Sequence, residues 1–419
     1  MAEVEGNGSN QYNRHALPEF LNQDFLLDVL RSVENDKALV ITECNIAPAT
    51  KPGDHHGSIM FRAKISYKTR GKDVISRSFV IKTKSVDEEP KKKMLKECPA
   101  FEREIDIYMK ILPEMTRIME SIGDRDHIAP RFLYHSMDPL VLIFEDITTF
   151  GYEMHTELCN FENTAKVAKK LAKFHALSFY MHDNKYVYNI DFPQYNGLRI
   201  IQEIILAIPM ILAGLALMKE EVKKWEGYEK IAEKIGDITE KHLISLLDMY
   251  KPNPEPGFNV LCHSDIHIKN MMFIKKNTDI DKILLLDFQM CFWGSQAVDL
   301  LHFLYRIGDA SVRLRRGEMV SIYHNTFTDY LNQLGCLRQG PTLLELNIEL
   351  LKLAPLELIL GIWCLPMKNL DSSKFDAAAL ENSTPEIFPN MLKIFLKTPR
   401  IVEIFKEVLL QLYYKGALG

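Results

Sequence analysis

The apolar rhythm of the chain changes twice. Its first strongly patterned stretch, "LNQDFLLDVLRSV", repeats apolar residues at intervals of three and four, which predicts an amphipathic helix. From about residue 37 to 85 the period shortens. "ALVITECNIAPAT", "IMFRAKISYKT" and "VISRSFVIKT" are rich in β-branched and aromatic residues. They are separated by "KPGDHHGS" and the turn at Arg70-Gly71-Lys72, so they predict an antiparallel meander. A charged stretch, "KSVDEEPKKKMLKE", leads into "PAFEREIDIYMKILPEM", helical by its period and expected to stop at Pro113. "RFLYHS" and "PLVLIFEDI" read as two further strands, and from Phe161 onward the pattern is mostly helical. Only "VLCHSDIHIKNMMF" and "KILLLDFQM" interrupt it, and no internal repeat or low-complexity tract is present.

This order predicts an α+β chain with a flexible tail over 1–19, a small β-rich lobe over 20–146 and a larger helical lobe over 147–419. The helix bearing Glu102 and Glu104 falls in the first lobe. The most apolar later run, Ile204 to Met218, is fifteen residues long and contains Pro209. A membrane span needs about 20 apolar residues, so the run reads as a buried helix or a pocket wall, with no span expected. The N-terminal "MAEVEGNGSNQYNRHALPEF" lacks the apolar core of a signal peptide. A net charge of -5 gives no support to a nucleic-acid-binding face. The seven cysteines are scattered and never form C-x-x-C, which points to a reducing compartment. The expectation is a soluble cytoplasmic protein, with no protein partner predicted.

The chemistry concentrates where the helical pattern breaks. His263-Ser264-Asp265-Ile266-His267-Ile268-Lys269-Asn270 matches the histidine, aspartate and asparagine of the kinase template H-R-D-L-x-x-x-N. "ILLLDFQ" then ends an apolar strand on Asp287, 22 residues after Asp265. A strand-final carboxylate near an asparagine amide oxygen makes a hard-oxygen site suited to Mg²⁺. Upstream, "FVIKT" sets Lys82 on a strand with apolar alternate positions. Either Glu102 or Glu104 can pair with it, and Glu104 is favoured because Phe101, Ile105 and Tyr108 form the inward stripe around it. Phosphoryl transfer needs these few parts: a hold on the phosphates, cations, and a carboxylate that orients the attacking hydroxyl. A zinc reading of His263-x-Asp265-x-His267 lacks further ligands downstream.

With these residues in order, the chain resembles the choline-kinase/aminoglycoside-phosphotransferase branch of the protein-kinase-like superfamily. More closely it is similar to the insect ecdysteroid kinase-like family. "GSIMFRAKISY", "SFVIKT", "FEREIDIYMKILP", "LIFEDITTFGYEM", "KKLAKFHALSF", "VLCHSDIHIKNMMF" and "ILLLDFQMCFWGSQAVDLLHFLY" carry the likeness over about 53 to 306. The resemblance implies a bilobal kinase-like fold with ATP in the cleft, a catalytic loop over 260–273 and a metal-binding segment over 284–290. It implies ATP- and Mg²⁺-dependent phosphorylation of a hydroxyl on a small molecule, with ecdysteroids among the family's substrates. Carried over by position, Lys82 contacts the α/β-phosphates, Glu104 holds Lys82, Asp265 is the catalytic base, and Asn270 and Asp287 hold magnesium. Glu145 to Ile147 form the hinge facing adenine, and the turn Gly53 to Ser58 covers the phosphates.

Four positions depart from the kinase patterns. Ser264 replaces the glycine usual in the family. Asp-Phe-Gln stands for D-F-G, and the covering turn lacks G-x-G-x-x-G. His267 takes the place of the lysine found two residues after the base in protein kinases, which favours a small-molecule acceptor. The apolar "IQEIILAIPMILAGLALM" suggests a lipophilic, steroid-like alcohol. A choline- or ethanolamine-type kinase and a silent pseudokinase binding a lipophilic ligand are the alternatives. The bland expectations are that His263 braces the loop and His175 is a packed histidine. Asp299 caps a helix or braces the loop, His267 faces substrate or fills space, and Tyr152, Phe192, Tyr195 and Trp363 belong to the core.

Overall fold

The computed structural model describes residues 17–49, 58–70, 73–84, 100–155, 157–254, 257–366 and 387–418. The expected tail up to residue 16, the covering turn apart from Ser58, Gly71-Lys72 and the charged stretch 85–98 lie outside them. The contacts divide the chain into two units. One comprises residues up to 96 with 131–150, and the other comprises 97–130 with 151 onward.

The first unit is a helix on a five-stranded antiparallel sheet. Helix α1, Gln23–Val33, is started by Asn22, whose side chain accepts the Phe25 amide at 3.0 Å. Strands β1 (Val40–Pro48), β2 (Ser58–Lys68), β3 (Ile75–Lys84), β4 (Phe132–Met137) and β5 (Leu140–Glu145) pair in the order β1-β2-β3-β5-β4. The first three form the expected meander, and the β4–β5 hairpin then adds on β5's edge. Alternation puts Phe61, Ala63, Ile65 and Tyr67 of β2, Phe79 and Ile81 of β3, and Val141 and Ile143 of β5 into one core with Leu26, Val29 and Leu30 of α1. Lys82 has the opposite parity and lies on the other face, paired with Met60 and Leu142.

In the second unit the glutamate-bearing segment is helical from Ala100 to Ser121. Helix α2 (Ala100–Asp106) passes through a π-helical turn, Ile107–Ile111, into α3 (Leu112–Ser121). The expected stop at Pro113 does not occur. Pro113 follows the π turn, whose wider spacing accommodates the ring and the missing amide, so the helix runs on. This helix groups with the second unit, whereas the sequence reading put it with the sheet. The Arg103 guanidinium donates to the Cys291 carbonyl at 2.9 Å, and Tyr108 packs edge-on against Phe288 at 5.4 Å.

The remainder is mainly helical around two small sheets. After β6 (Glu153–Met154), helix α4 spans Phe161–Asp183 and α5 spans Leu198–Val222. Strands β7 (Val260–Cys262) and β10 (Phe292–Gly294) pair antiparallel, and β8 (Met271–Lys276) lies between β6 and β9 (Asp279–Leu285). Helices α6 (Gln296–Arg306) and α7 (Arg316–Gln333) follow.

Helix α5 corrects the reading of the apolar run. It has 25 residues where the run counted fifteen, with Pro209 inside. With the preceding short turn, Phe192–Val222 is the one helix among the described residues long and apolar enough to cross a membrane, at a mean hydropathy of 2.2. Only 28% of its most apolar window is buried, so "buried helix" describes one face alone. Ile208, Ile211, Leu215, Met218 and Val222 recur at helical spacing on that face, while Leu198, Ile205 and Leu206 are exposed.

Candidate active site

The loop after β7 is held by α6 and α4. Beyond Cys262, Ser264 takes a left-handed φ of 66°, the conformation that glycine adopts without penalty. That turn aims two successive amides at one carboxylate. His263 and Ser264 donate their N–H groups to Asp299 of α6 at 2.6 and 2.7 Å. His175 of α4 donates Nε2–H to the same carboxylate at 3.0 Å and meets the Tyr323 hydroxyl with Nδ1 at 2.6 Å. Burial raises the Asp299 pKa, and the bonds from His175 and the His263 amide more than offset it, leaving the carboxyl below its usual range. Asp299 therefore braces the loop, and the cap of α6 is Ser295. His175 is a packed histidine with no exposure.

The histidine that opens the motif ties the loop to the end of β9. A carbonyl can only accept, so His263 donates Nε2–H to the Leu286 carbonyl at 2.8 Å, and its bare Nδ1 takes the Asp265 amide at 3.4 Å. With both ring nitrogens engaged, His263 has no lone pair for zinc. Among the described residues no group of three His, Cys, Asp or Glu side chains is placed to hold a metal.

Asp265 sits at the centre. Its Oδ2 accepts from Asn270 Nδ2 at 2.8 Å, and its Oδ1 accepts from Arg306 Nη1 at 3.0 Å. His267 Nε2 lies 3.5 Å from Oδ2, while its Nδ1 accepts the Lys269 amide. Burial pushes the Asp265 pKa up, but His267 and Arg306 outweigh it and hold the carboxyl well below the usual range. Asp265 is thus an ionised, oriented hydrogen-bond acceptor.

The strand ladder brings Asn270 beside the residue preceding Asp287. Met271 is opposite Leu285, and the Leu286 amide donates to the Asn270 carbonyl at 2.9 Å. Asn270 spends its amide hydrogens on the backbone and side chain of Asp265, so what it still offers is Oδ1. Asp287 has a φ of 64°, and its Oδ2 accepts from Gln289 at 3.3 Å. An amide oxygen and a carboxylate on adjoining strand ends are the hard donor set that magnesium takes. Glu104 is 1% exposed, whereas Glu102 is on the surface. Phe101, Ile105 and Tyr108 are buried around it. The buried Tyr108 hydroxyl is pushed well up, first by burial and then by the charges of Glu104 and Asp287.

In the first unit Lys82 is 4% exposed in mid-strand, and Ser58 opens β2 opposite Lys84. The segment after β5 is fixed by Asp146, a residue inside the expected hinge whose side chain had been given no role. Its Oδ2 accepts from Arg62 Nε at 2.8 Å and the Ser78 hydroxyl at 2.6 Å, and its Oδ1 accepts from the Thr148 hydroxyl at 2.7 Å. The Glu145 amide donates to the Arg131 carbonyl and the Asp146 amide to the Ser78 carbonyl. The backbone donor at Ile147 is left without a partner among the described residues. Lys82 and Glu104 belong to different units. Phe192 and Tyr195 are core residues, as expected, whereas Tyr152 and Trp363 are only half-buried.

Arg306 is the other residue missed. Its signal was available: Asp299, His302 and Arg306 are spaced by three and four, so a helix puts them on one face.

A lysine in a central strand, a buried helix glutamate, and a braced HxDxxxxN loop beside a strand-final aspartate are the residue types of the kinase template, and the chain is a small-molecule phosphotransferase by the family match that follows. The model of the ecdysteroid kinase-like family matches residues 52–336, more than half of the chain, and the chain belongs to that family. No curated protein matches it in sequence. Among solved structures, an ADP-bound aminoglycoside phosphotransferase is 14% identical over 86% of this chain and 98% of its own, with a TM-score of 0.35. The macrolide 2'-phosphotransferase apoenzyme from Brachybacterium faecium is 14% identical over 88% and 99%, at 0.36. A GDP complex of an aminoglycoside 2'-phosphotransferase is 10% identical over 93% and 99%, at 0.38. At scores this low the likenesses carry no argument about this chain, and the nucleotides are those proteins' own.

Proposed function

We propose that this kinase transfers the γ-phosphoryl of ATP to a hydroxyl of a lipophilic, steroid-like alcohol such as an ecdysteroid, and that it works in the cytoplasm. The observation that carries the reading is the two-donor hold on Asp265, one donor being Asn270, whose strand ladder leads to Asp287. Asp265 accepts a hydrogen bond from the acceptor hydroxyl and takes its proton as the new O–P bond forms and the bond to the ADP oxygen breaks. Because its proton affinity is held low, that transfer comes late, as suits a loose transition state. Asn270 and Asp287 hold magnesium through oxygen, and the ion when bound offsets phosphate charge. In this reading Lys82 and Ser58 serve the phosphates, and the Ile147 amide with the backbone at Glu145 meets the adenine edge.

The lipophilic acceptor is supported by α5. Gly197, just before α5, packs so closely on Tyr250 that a Cβ would come within 2.5 Å of it. The Tyr250 ring lies 5.5 Å from Phe292, which pairs with Cys262 beside the catalytic loop. An apolar helix face with exposed Leu198, Ile205 and Leu206 thus starts three contacts from Cys262. The reading is tested by assaying ATP-dependent phosphorylation of a steroid panel with wild type and Asp265→Asn. Wild type is expected to turn over at least one polyhydroxylated steroid and the variant at least about 100-fold more slowly. Equal turnover by both would remove Asp265 from the role of base.

A further inference from the structure

A permanent cation reaches the centre of the catalytic loop from outside it. Arg306 closes α6, and Asp299, His302 and Arg306 run along one face of that helix. At one end of the face Asp299 holds the loop by its backbone, at 263 and 264. At the other end Arg306 holds it by the Asp265 side chain. The arginine is itself steadied, because the same Nη1 lies 3.3 Å from His302 Nδ1. The pair is largely shielded, with side-chain exposures of 19% for Arg306 and 28% for Asp265. It therefore escapes much of the screening that makes surface pairs weak.

His267, two residues after Asp265, uses Nδ1 to accept the Lys269 amide and so caps the turn Ile268–Asn270. Arg306 supplies the fixed charge from another element, and arginine keeps that charge at any working pH. A carboxylate is planar. Arg306 on Oδ1 and Asn270 on Oδ2, with His267 Nε2 3.5 Å from Oδ2, stop its rotation and leave the remaining lone pairs in set directions. A carboxylate that must meet a hydroxyl within hydrogen-bond reach gains rate from being fixed in advance.

We propose that Arg306 is a positioning residue for phosphoryl transfer, acting through Asp265 by locking its carboxylate, and that it serves turnover and not nucleotide binding. The proposal rests on the reading of Asp265 as proton acceptor. Its test is a double-mutant cycle on the slow hydrolysis of ATP with Mg²⁺, water standing in for the alcohol. Wild type, Arg306→Ala, Arg306→Lys, Asp265→Asn and the two double variants are compared. Affinity for a non-hydrolysable ATP analogue and melting temperature are measured alongside. Arg306→Ala is expected to lower kcat about 10- to 100-fold, with KM for ATP within about threefold. Arg306→Lys is expected to recover about a tenth or more of the wild-type rate. In the Asp265→Asn background neither Arg306 change costs more, because the group it acts through is already disabled. Additive losses, an unchanged kcat, or a loss of analogue affinity in place of turnover overturn the proposal. If Arg306→Ala does not fold, Arg306→Lys and its double variant carry the same comparison. Undiminished hydrolysis by Asp265→Asn alone overturns the reading of Asp265 instead.

Discussion

Single residues set the backbone of the loop. Ser264 takes a φ of 66°, a conformation that glycine adopts without penalty. A side chain in the left-handed region costs about 1 kcal/mol, which the two amide bonds to Asp299 offset. Ser264→Gly is therefore expected to stabilise the protein by up to about 1 kcal/mol, seen as a higher denaturant midpoint, with activity retained. That Asp265, Asn270 and Asp287 come onto one loop and the adjoining strand end was legible in the sequence, because it depends on spacing along one chain segment and its returning strand. Asp146 and Arg306 were not, because each is defined by partners far away. Asp146 meets Arg62 and Ser78, 84 and 68 residues distant, and Arg306 meets Asp265, 41 residues distant.

At the scale of elements, α6 works as a jig for the loop, and one of its residues leaves a measurable signature. Among the described residues His302 Nε2 is buried without a hydrogen-bond partner. Its pKa is pushed down to about 4, first by burial and then by the Arg306 guanidinium. An unfolded histidine takes up its proton near 6.5, while the folded one waits until about 4. Over that interval the unfolded state binds more protons, so stability falls as pH drops. Melting curves between pH 7 and 5 are expected to show a smaller loss for His302→Gln than for wild type. Parallel losses would rule His302 out as the source. Periodicity located the helix at 100 but misplaced its end, since a π turn just before Pro113 lets the helix pass the proline ring. It also undercounted α5, because Arg199, Gln202 and Glu203 interrupt the apolar run without interrupting the helix.

At the scale of the molecule, the alternation of β2, β3 and β5 made the sheet legible, since one buried face fixes the register. The grouping of residues 97–130 was not legible, because local pattern forms a helix without saying what it packs on. Here packing is set by Arg103 on Cys291 and Tyr108 on Phe288. Family membership makes the protein a small-molecule kinase, and the identity of the alcohol is the claim on which the functional account turns. The most direct measurement uses ATP labelled in its γ-phosphoryl, with Mg²⁺, a lipid extract and either wild type or Asp265→Asn. The account predicts label in a lipophilic organic product identified by mass spectrometry as a steroid phosphate, and none with the variant. Label confined to inorganic phosphate or to a quaternary-amine alcohol such as choline, or equal transfer by the variant, would contradict it.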